Sequence, residues 1–288
     1  MTELPAWGEP FAAGHRDSLA RSGPWGRADR AWAFGDASGR GLRVAIVDSG
    51  VEGSHPAVGG RLVEAVAVER RGDDWVIVPT EAVDVVGHGT ACAGIIHGLA
   101  PEADLVSVRV LGPDNRGNGG AFATGLLWAI ESSGASVVNL SLSSRSDALF
   151  GTLHELADEA YFRNVLLVSA ANNVSVASYP SLYAAVVSVA AHDVPDPGAW
   201  FYNPAPPVEF GAYGLNVDVA WRAGTRMSVT GNSFAAPHIA GYAARVRAAH
   251  PGITPFEVKA VLAATADNAR WARRRSGIER TGPWGPVL

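Results

Sequence analysis

Gly231-Asn232-Ser233-Phe234-Ala235-Ala236-Pro237-His238 runs directly into the apolar stretch Ile239 to Val246. A flexible residue stands two positions before a serine, and small residues with a proline then open a long buried helix. Serine at such a place is a good helix N-cap. It also suits a nucleophile. Gly231 leaves room for a substrate backbone and permits φ/ψ values other residues avoid, while the unpaired N–H groups and positive dipole end of a helix stabilise developing negative charge. A serine hydroxyl is a poor nucleophile without a base, and the base needs an orienting partner. The nucleophilic reading therefore requires a histidine and an acid elsewhere in the chain.

Both are present. Leu42 to Val47 is a short β-branched run that reads as a buried strand and ends at Asp48-Ser49-Gly50. An acid at the carboxyl end of a strand stands where α/β sheets place their sites, although Asp-Ser-Gly is also good turn chemistry. No Gly-x-Gly-x-x-Gly follows, so a dinucleotide site is excluded. Further on, His88 lies between Gly87 and Gly89, ahead of a helix of small residues. A histidine between glycines is poor core filling. Cys92 falls among small apolar neighbours and reads as buried filler.

The remaining segments set the fold class. Leu62 to Val68 and Trp75 to Val78 read as a hairpin. Strands are expected at Leu105 to Val110, Val137 to Leu140, Val165 to Ala170 and Val186 to Ala190, with a short one at Val217 to Ala220. Helices are expected at Arg27 to Phe34, Ala121 to Ser132 (with Phe122, Leu126, Leu127 and Ile130 on the buried side) and Ala148 to Arg163. A last helix opens at Thr254-Pro255-Phe256-Glu257 with a capping box and proline in its first turn. The alternation predicts an α/β fold, a doubly wound, mostly parallel sheet flanked by helices.

Composition limits the function classes. The chain has 288 residues, 48% hydrophobic and 18% charged, with a formal net charge of −5. No basic run favours nucleic acid, and no apolar run favours a membrane. The single cysteine excludes an internal disulfide. Met1 to Leu19 lacks the apolar core of a signal peptide, so the expectation is a cytoplasmic protein. His154-Glu155 lacks the second histidine of a zinc helix, so no metal or cofactor is expected. The segments Ser22 to Gly26 and Thr281 to Gly285 are near-copies, read as tryptophan-bearing arms around a single domain with a core near 27–265. The sequence carries no signal for an oligomeric state.

An acid at a strand end, Gly-His-Gly-Thr and Gly-x-Ser-x-Ala-x-Pro-His, in that order, resemble the subtilisin-like serine proteases. The likeness extends to Leu99 to Leu105, Asn139 to Leu142 and the strand leading to Asn173. The resemblance implies a serine endopeptidase. Ser233 would be the nucleophile, His88 the base, Asp48 its orienting acid, and Asn173 with the Ser233 backbone N–H the oxyanion donors. It implies an extended peptide or protein substrate held as an added strand by Ser141, Leu142 and Ser143 on one side and Asn115, Arg116 and Gly117 on the other. A non-catalytic peptide-binding relative is the rival reading.

Departures from the family pattern matter. Asn232 stands where threonine is usual and Ala91 where a second histidine is usual. Ser143 and Ser178 stand where glycine is usual in the specificity pocket, which implies a smaller pocket. With no propeptide read before the domain, the resemblance implies an intracellular protease trimming a dedicated peptide or protein. Many relatives bind calcium on a loop between the histidine-bearing helix and the next strand. Here Ile96-His97-Gly98 passes at once into Leu99 to Asp104, leaving no residues for that loop. Thermal melts in excess calcium and in chelator should therefore share one midpoint. A midpoint that climbs with the logarithm of calcium concentration would reveal a tight site on the native state.

Overall fold

The computed structural model describes residues 28–205 and 207–269. The paired tryptophan segments, 22–26 and 281–285, lie outside the described residues. Along the described chain run α1 (Arg30–Phe34), β1 (Arg43–Asp48), β2 (Leu62–Arg71), β3 (Asp74–Pro79), α2 (His88–Leu99), β4 (Asp104–Arg109), α3 (Gly119–Glu131), β5 (Val137–Leu140), α4 (Phe150–Phe162), β6 (Leu166–Ala170), β7 (Val187–His192), β8 (Trp200–Tyr202), β9 (Phe210–Tyr213), β10 (Val217–Trp221), β11 (Thr225–Val229), α5 (Asn232–Ala249) and α6 (Pro255–Ala264).

Among the described residues nine strands form one sheet in the order β3-β2-β4-β1-β5-β6-β7-β9-β8, and β10 pairs with β11 in a separate ribbon. The central pairings are parallel, and only the edge strands β3 and β8 run antiparallel to their neighbours. β5 and β6 are buried along their whole length, as strands covered on both faces must be. Along β1 the side chains alternate: Val44 and Ile46 enter the layer of α2, α5 and α6, whereas Ala45 and Val47 enter the layer of α3 and α4. The doubly wound sheet expected from the sequence is the architecture found.

The chain leaves β1 toward β4 and β2, then returns to build β5, β6 and β7 on the other side. Strand order thus reverses at β1, and a crevice opens at the carboxyl edge there. Asp48, Ser141 and the segment after Ala170 all lie at that edge.

Two helices deliver the other groups. α2 begins at His88, and its close seat on β1 depends on Gly89: a Cβ there would lie 2.0 Å from the Gly50 carbonyl oxygen and 3.2 Å from Asp48 Cβ. α5 is buried almost all round, which fits its run of alanines and its position between α2 and the sheet. Gly241 receives Leu99 of α2, whose Cβ would be 2.9 Å from an added Cβ.

Some expectations require correction. Leu127 is 39% exposed, although Phe122, Leu126 and Ile130 of the same helix are buried; one helix face is too narrow to cover all four. α3 starts at Gly119, because Asn118 accepts a hydrogen bond from the Gly120 N–H (2.8 Å) and fixes the first turn. β8 and β9 escaped the sequence reading. They are short, and their apolar residues are held by distant partners: Trp200 is fully buried, donates its indole N–H to the Leu262 carbonyl (2.9 Å) and packs on Tyr242. The capping box at Thr254 and Glu257 forms as expected.

Candidate active site

Asp48 ends β1 with no solvent exposure. A buried carboxylate requires compensating donors. The Ser49 N–H supplies one (2.7 Å to Oδ1), and His88 Nδ1 lies 2.9 Å from each carboxylate oxygen. Nδ1 therefore carries its proton toward Asp48, which leaves Nε2 as the acceptor. Burial disfavours the imidazolium, yet the charge of Asp48, the hydrogen bond to it and the charge of Asp84 outweigh burial and hold the His88 pKa above its ordinary value.

Asp84 is a positioning residue that sequence reading left without a role. Its Oδ1 accepts from the Ser49 hydroxyl (2.8 Å) and the N–H groups of Val86 (2.9 Å) and Gly87 (2.7 Å). Its Oδ2 accepts from the Thr90 N–H (2.8 Å) and hydroxyl (2.7 Å). One carboxylate thus satisfies free N–H groups at the start of α2 and ties them to Ser49. The spacing Asp-x-x-x-His-x-Thr was the available signal, as an acid just ahead of a helix start.

Ser233 opens α5 on the other side of the crevice. The helix contains Pro237, which has no N–H to give the carbonyl four residues earlier. That carbonyl belongs to Ser233. It is taken instead by the Ser141 hydroxyl (2.7 Å), with the Cys92 thiol at 3.7 Å, and Asn139 Nδ2 donates to Ser141 Oγ (3.0 Å). Ser141 was expected to meet substrate, but its side chain fastens the backbone of Ser233. Cys92 is buried as expected, and burial pushes its thiol well above the usual range.

Asn173 and Asn232 complete the corner. Asn173 Oδ1 accepts the Asn232 N–H (2.9 Å), which caps α5 and fixes the carboxamide. Asn173 Nδ2 has no partner among the described residues and stays available. The turn role belongs to Asn172, whose Oδ1 accepts from the Val174 N–H (3.0 Å). The Asn232 side chain accepts from Ala191 N–H (2.8 Å) and donates to the carbonyls of Ala171 (3.2 Å) and Asn172 (3.1 Å). The residue noted as a departure in sequence therefore stitches the ends of β6 and β7 to the first turn of α5. A Cβ on Gly231 would lie 3.3 Å from Ser233 Oγ and 3.6 Å from both Asn173 carboxamide atoms. With φ of 164° its backbone is extended, so glycine serves here by leaving space and not by an unusual φ.

His88, Ser233 and Asn173 line one cleft of about 540 Å³ together with Ser141, Leu142, Ser143, Asn115, Arg116 and Gly117. Ser178 is a correction. It is 1% exposed and outside the cleft lining. Its hydroxyl turns inward, to the Asn172 N–H (3.3 Å) and the Ser181 hydroxyl (3.0 Å), because Tyr179 is paired with Ser144. His238 of the opening motif also lies off the site: burial lowers its pKa to about 4, and its Nδ1 donates to the Phe234 carbonyl (2.9 Å). Among the described residues, Asp48, His88 and Cys92 bring three metal-type donor atoms within 4.8 Å of one another.

Residues 39–282 match the sequence profile described as the subtilase family. The chain is similar to subtilisin BL of Lederbergia lenta, 35% identical over 262 residues, covering 86% of this chain and 92% of the relative. It is similar to M-protease of Shouchella clausii, 34% identical over 264 residues, covering 86% of this chain and 66% of the relative. Thermitase of Thermoactinomyces vulgaris is 31% identical over 266 residues, covering 86% and 90%. Among solved structures, a psychrophilic protease superposes with a TM-score of 0.67 at 27% identity, covering 78% of this chain and 82% of that one. A cold-adapted subtilisin-like serine proteinase gives 0.66 at 23%, covering 87% and 96%, which speaks to the fold alone. The expected cytoplasmic location is overturned, since these subtilisin relatives are secreted extracellular proteases. A lone cysteine and an unremarkable first segment do not report where a chain works.

The His88 geometry sets a pH dependence. A base must be neutral to accept a proton, so kcat/KM should rise with pH through the free-enzyme pKa of His88. That midpoint should lie above 6.5, the ordinary histidine value from which His88 is raised. Asp48→Asn removes the larger raising charge and leaves only that of Asp84 to oppose burial, so the midpoint should fall below that of the parent. A pH–rate profile of both proteins checks this. An unchanged midpoint in Asp48→Asn would contradict the electrostatic account.

Proposed function

The chain belongs to the subtilase family of serine peptidases, and on that premise we propose that it cleaves peptide bonds through an acyl-enzyme built on Ser233. His88 Nε2 takes the hydroxyl proton as Ser233 Oγ attacks the carbonyl, then returns it to the leaving amine. Asp48 holds the imidazole in the required tautomer and stabilises the imidazolium. Asn173 Nδ2 and the Ser233 N–H, an unpaired first-turn donor of α5, receive the oxyanion. Water, activated by the same histidine, releases the acid product.

The buried Asp48–His88 hydrogen bond, at the wall of the cleft that Ser233 also lines, carries this reading. It weighs against a peptide-binding relative with a spoiled site, because acid and base are paired and the serine lines the same cleft. Extended walls at Ser141 to Ser143 and Asn115 to Gly117 favour a peptide or protein segment as partner. Nothing in the charge pattern favours nucleic acid or a membrane surface.

A fluorophosphonate probe should label the parent protein, and Ser233→Ala should abolish labelling and lower kcat by a factor on the order of 10⁶, a scale established on subtilisin itself. Adding His88→Ala to Ser233→Ala should cost little more, since the two act as one unit. Retained peptidase activity in Ser233→Ala would end the assignment.

Ser143 lines the cleft beside Leu142, and its side chain takes volume that a glycine would leave open. We therefore expect small or medium side chains to be preferred over Phe and Tyr at the residue contributing the acyl group. Steady-state kinetics on peptides differing only there would decide, with faster cleavage after Phe or Tyr as the contrary result.

A further inference from the structure

We propose that the acyl-side half of the cleft selects substrates with acidic side chains, held between the guanidinium groups of Arg116 and Arg145. The proposal deepens the reading of Ser233 as nucleophile and rests on it for the direction of the substrate.

The protein carries a net charge of −5, yet among the described residues the cleft lining contains Arg116 and Arg145 and no aspartate or glutamate. The two stand on opposite walls. Arg116 belongs to the loop closed by the Leu111–Gly117 bridge, and Arg145 follows Ser144, which is bridged to Tyr179. Both are exposed. The acids of the same loops are engaged elsewhere: Asp114 Oδ1 accepts the backbone N–H of Arg116 (3.2 Å), and Asp147 Oδ1 accepts the Tyr179 hydroxyl (3.2 Å).

The contrast with other arginines is informative. Arg30, Arg40, Arg61, Arg70, Arg163 and Arg226 each reach a carboxylate. Arg43, Arg222, Arg245 and Arg247 donate to backbone carbonyls. Among the described residues the guanidinium groups left without such a partner are those of Arg71, Arg109, Arg116 and Arg145. Three of these line the cleft or the hollow of about 350 Å³ next to it, where Arg109 and Arg116 meet Trp75. Unpaired cations concentrate where substrate lies, and guanidinium groups suit carboxylates by geometry as well as charge.

Position along the substrate follows from strand spacing. With substrate placed along Ser141 to Ser143 as proposed above, those residues flank the cleaved bond, and Arg145 lies two residues further along the same wall. An extended chain advances about 3.3 Å per residue with side chains alternating. The acidic residue therefore belongs about three to four positions before the cleaved bond.

The test uses fluorogenic peptides identical except for Asp, Asn or Lys at the third and fourth positions before the bond. We expect kcat/KM to follow Asp above Asn above Lys, with roughly five- to twentyfold between Asp and Asn at low salt, shrinking as salt is added. The double variant Arg116→Glu/Arg145→Glu should invert the order to favour Lys, a gain that misfolding cannot produce. Fluorescence anisotropy of the same labelled peptides on Ser233→Ala should give dissociation constants in the same order, without requiring turnover. Equal values for Asp and Asn in both series, or an order that survives charge reversal, would overturn the proposal. Absent turnover and absent fluorophosphonate labelling would instead remove the catalytic reading, and the anisotropy series would still decide the charge preference.

Discussion

The carboxylate of Asp48, sealed at the end of β1, is the constraint that the site depends on. An unpaired carboxylate in that place would be costly, and breaking its pairing would leave a charge stranded in the interior. Its compensation fixes other parts of the structure. His88 must present Nδ1, so α2 must start where it does. Gly89 must lack a side chain, because α2 presses on the Gly50 carbonyl. Asp84 must gather the free donors at the start of α2 and the Ser49 hydroxyl. The same pairing raises the histidine pKa, so the interaction that seats the helix also tunes the base.

A second set of constraints gathers at the first turn of α5. Pro237 withdraws one helix hydrogen bond and so frees the Ser233 carbonyl for Ser141, which roots the serine in the strand-end segment after β5. Asn173 caps the helix through one amide atom while the other remains open. Asn232 fastens the turn to the ends of β6 and β7. Ser233 and Asn173 are therefore held by rigid elements converging on one sheet edge, as a preorganised site requires. The cleft walls that run away from this corner supply contact area and, through their arginines, charge.

Local chemistry was legible in the residues alone. The continuous apolar runs, the Gly-His-Gly and Gly-x-Ser spacings and the Thr254 capping box each depend on residues a few positions apart, so the sheet, its helices and the candidate site were legible. Other features depend on residues far apart in the chain and emerge only on folding. The short strands β8 and β9 are strands because Trp200 is anchored on α6 and Tyr242. Leu127 faces outward because α3 has room to bury only part of its apolar surface. Ser178 turns away from the cleft because Tyr179 pairs with Ser144. Asp84, Asn232 and Ser141 take on supporting roles through donors and acceptors that only folding brings within reach. Side-chain hydrogen bonds and charge pairing act over a few ångströms of space regardless of separation along the chain, so residue spacing singled out the candidate groups and three-dimensional packing decided what holds them.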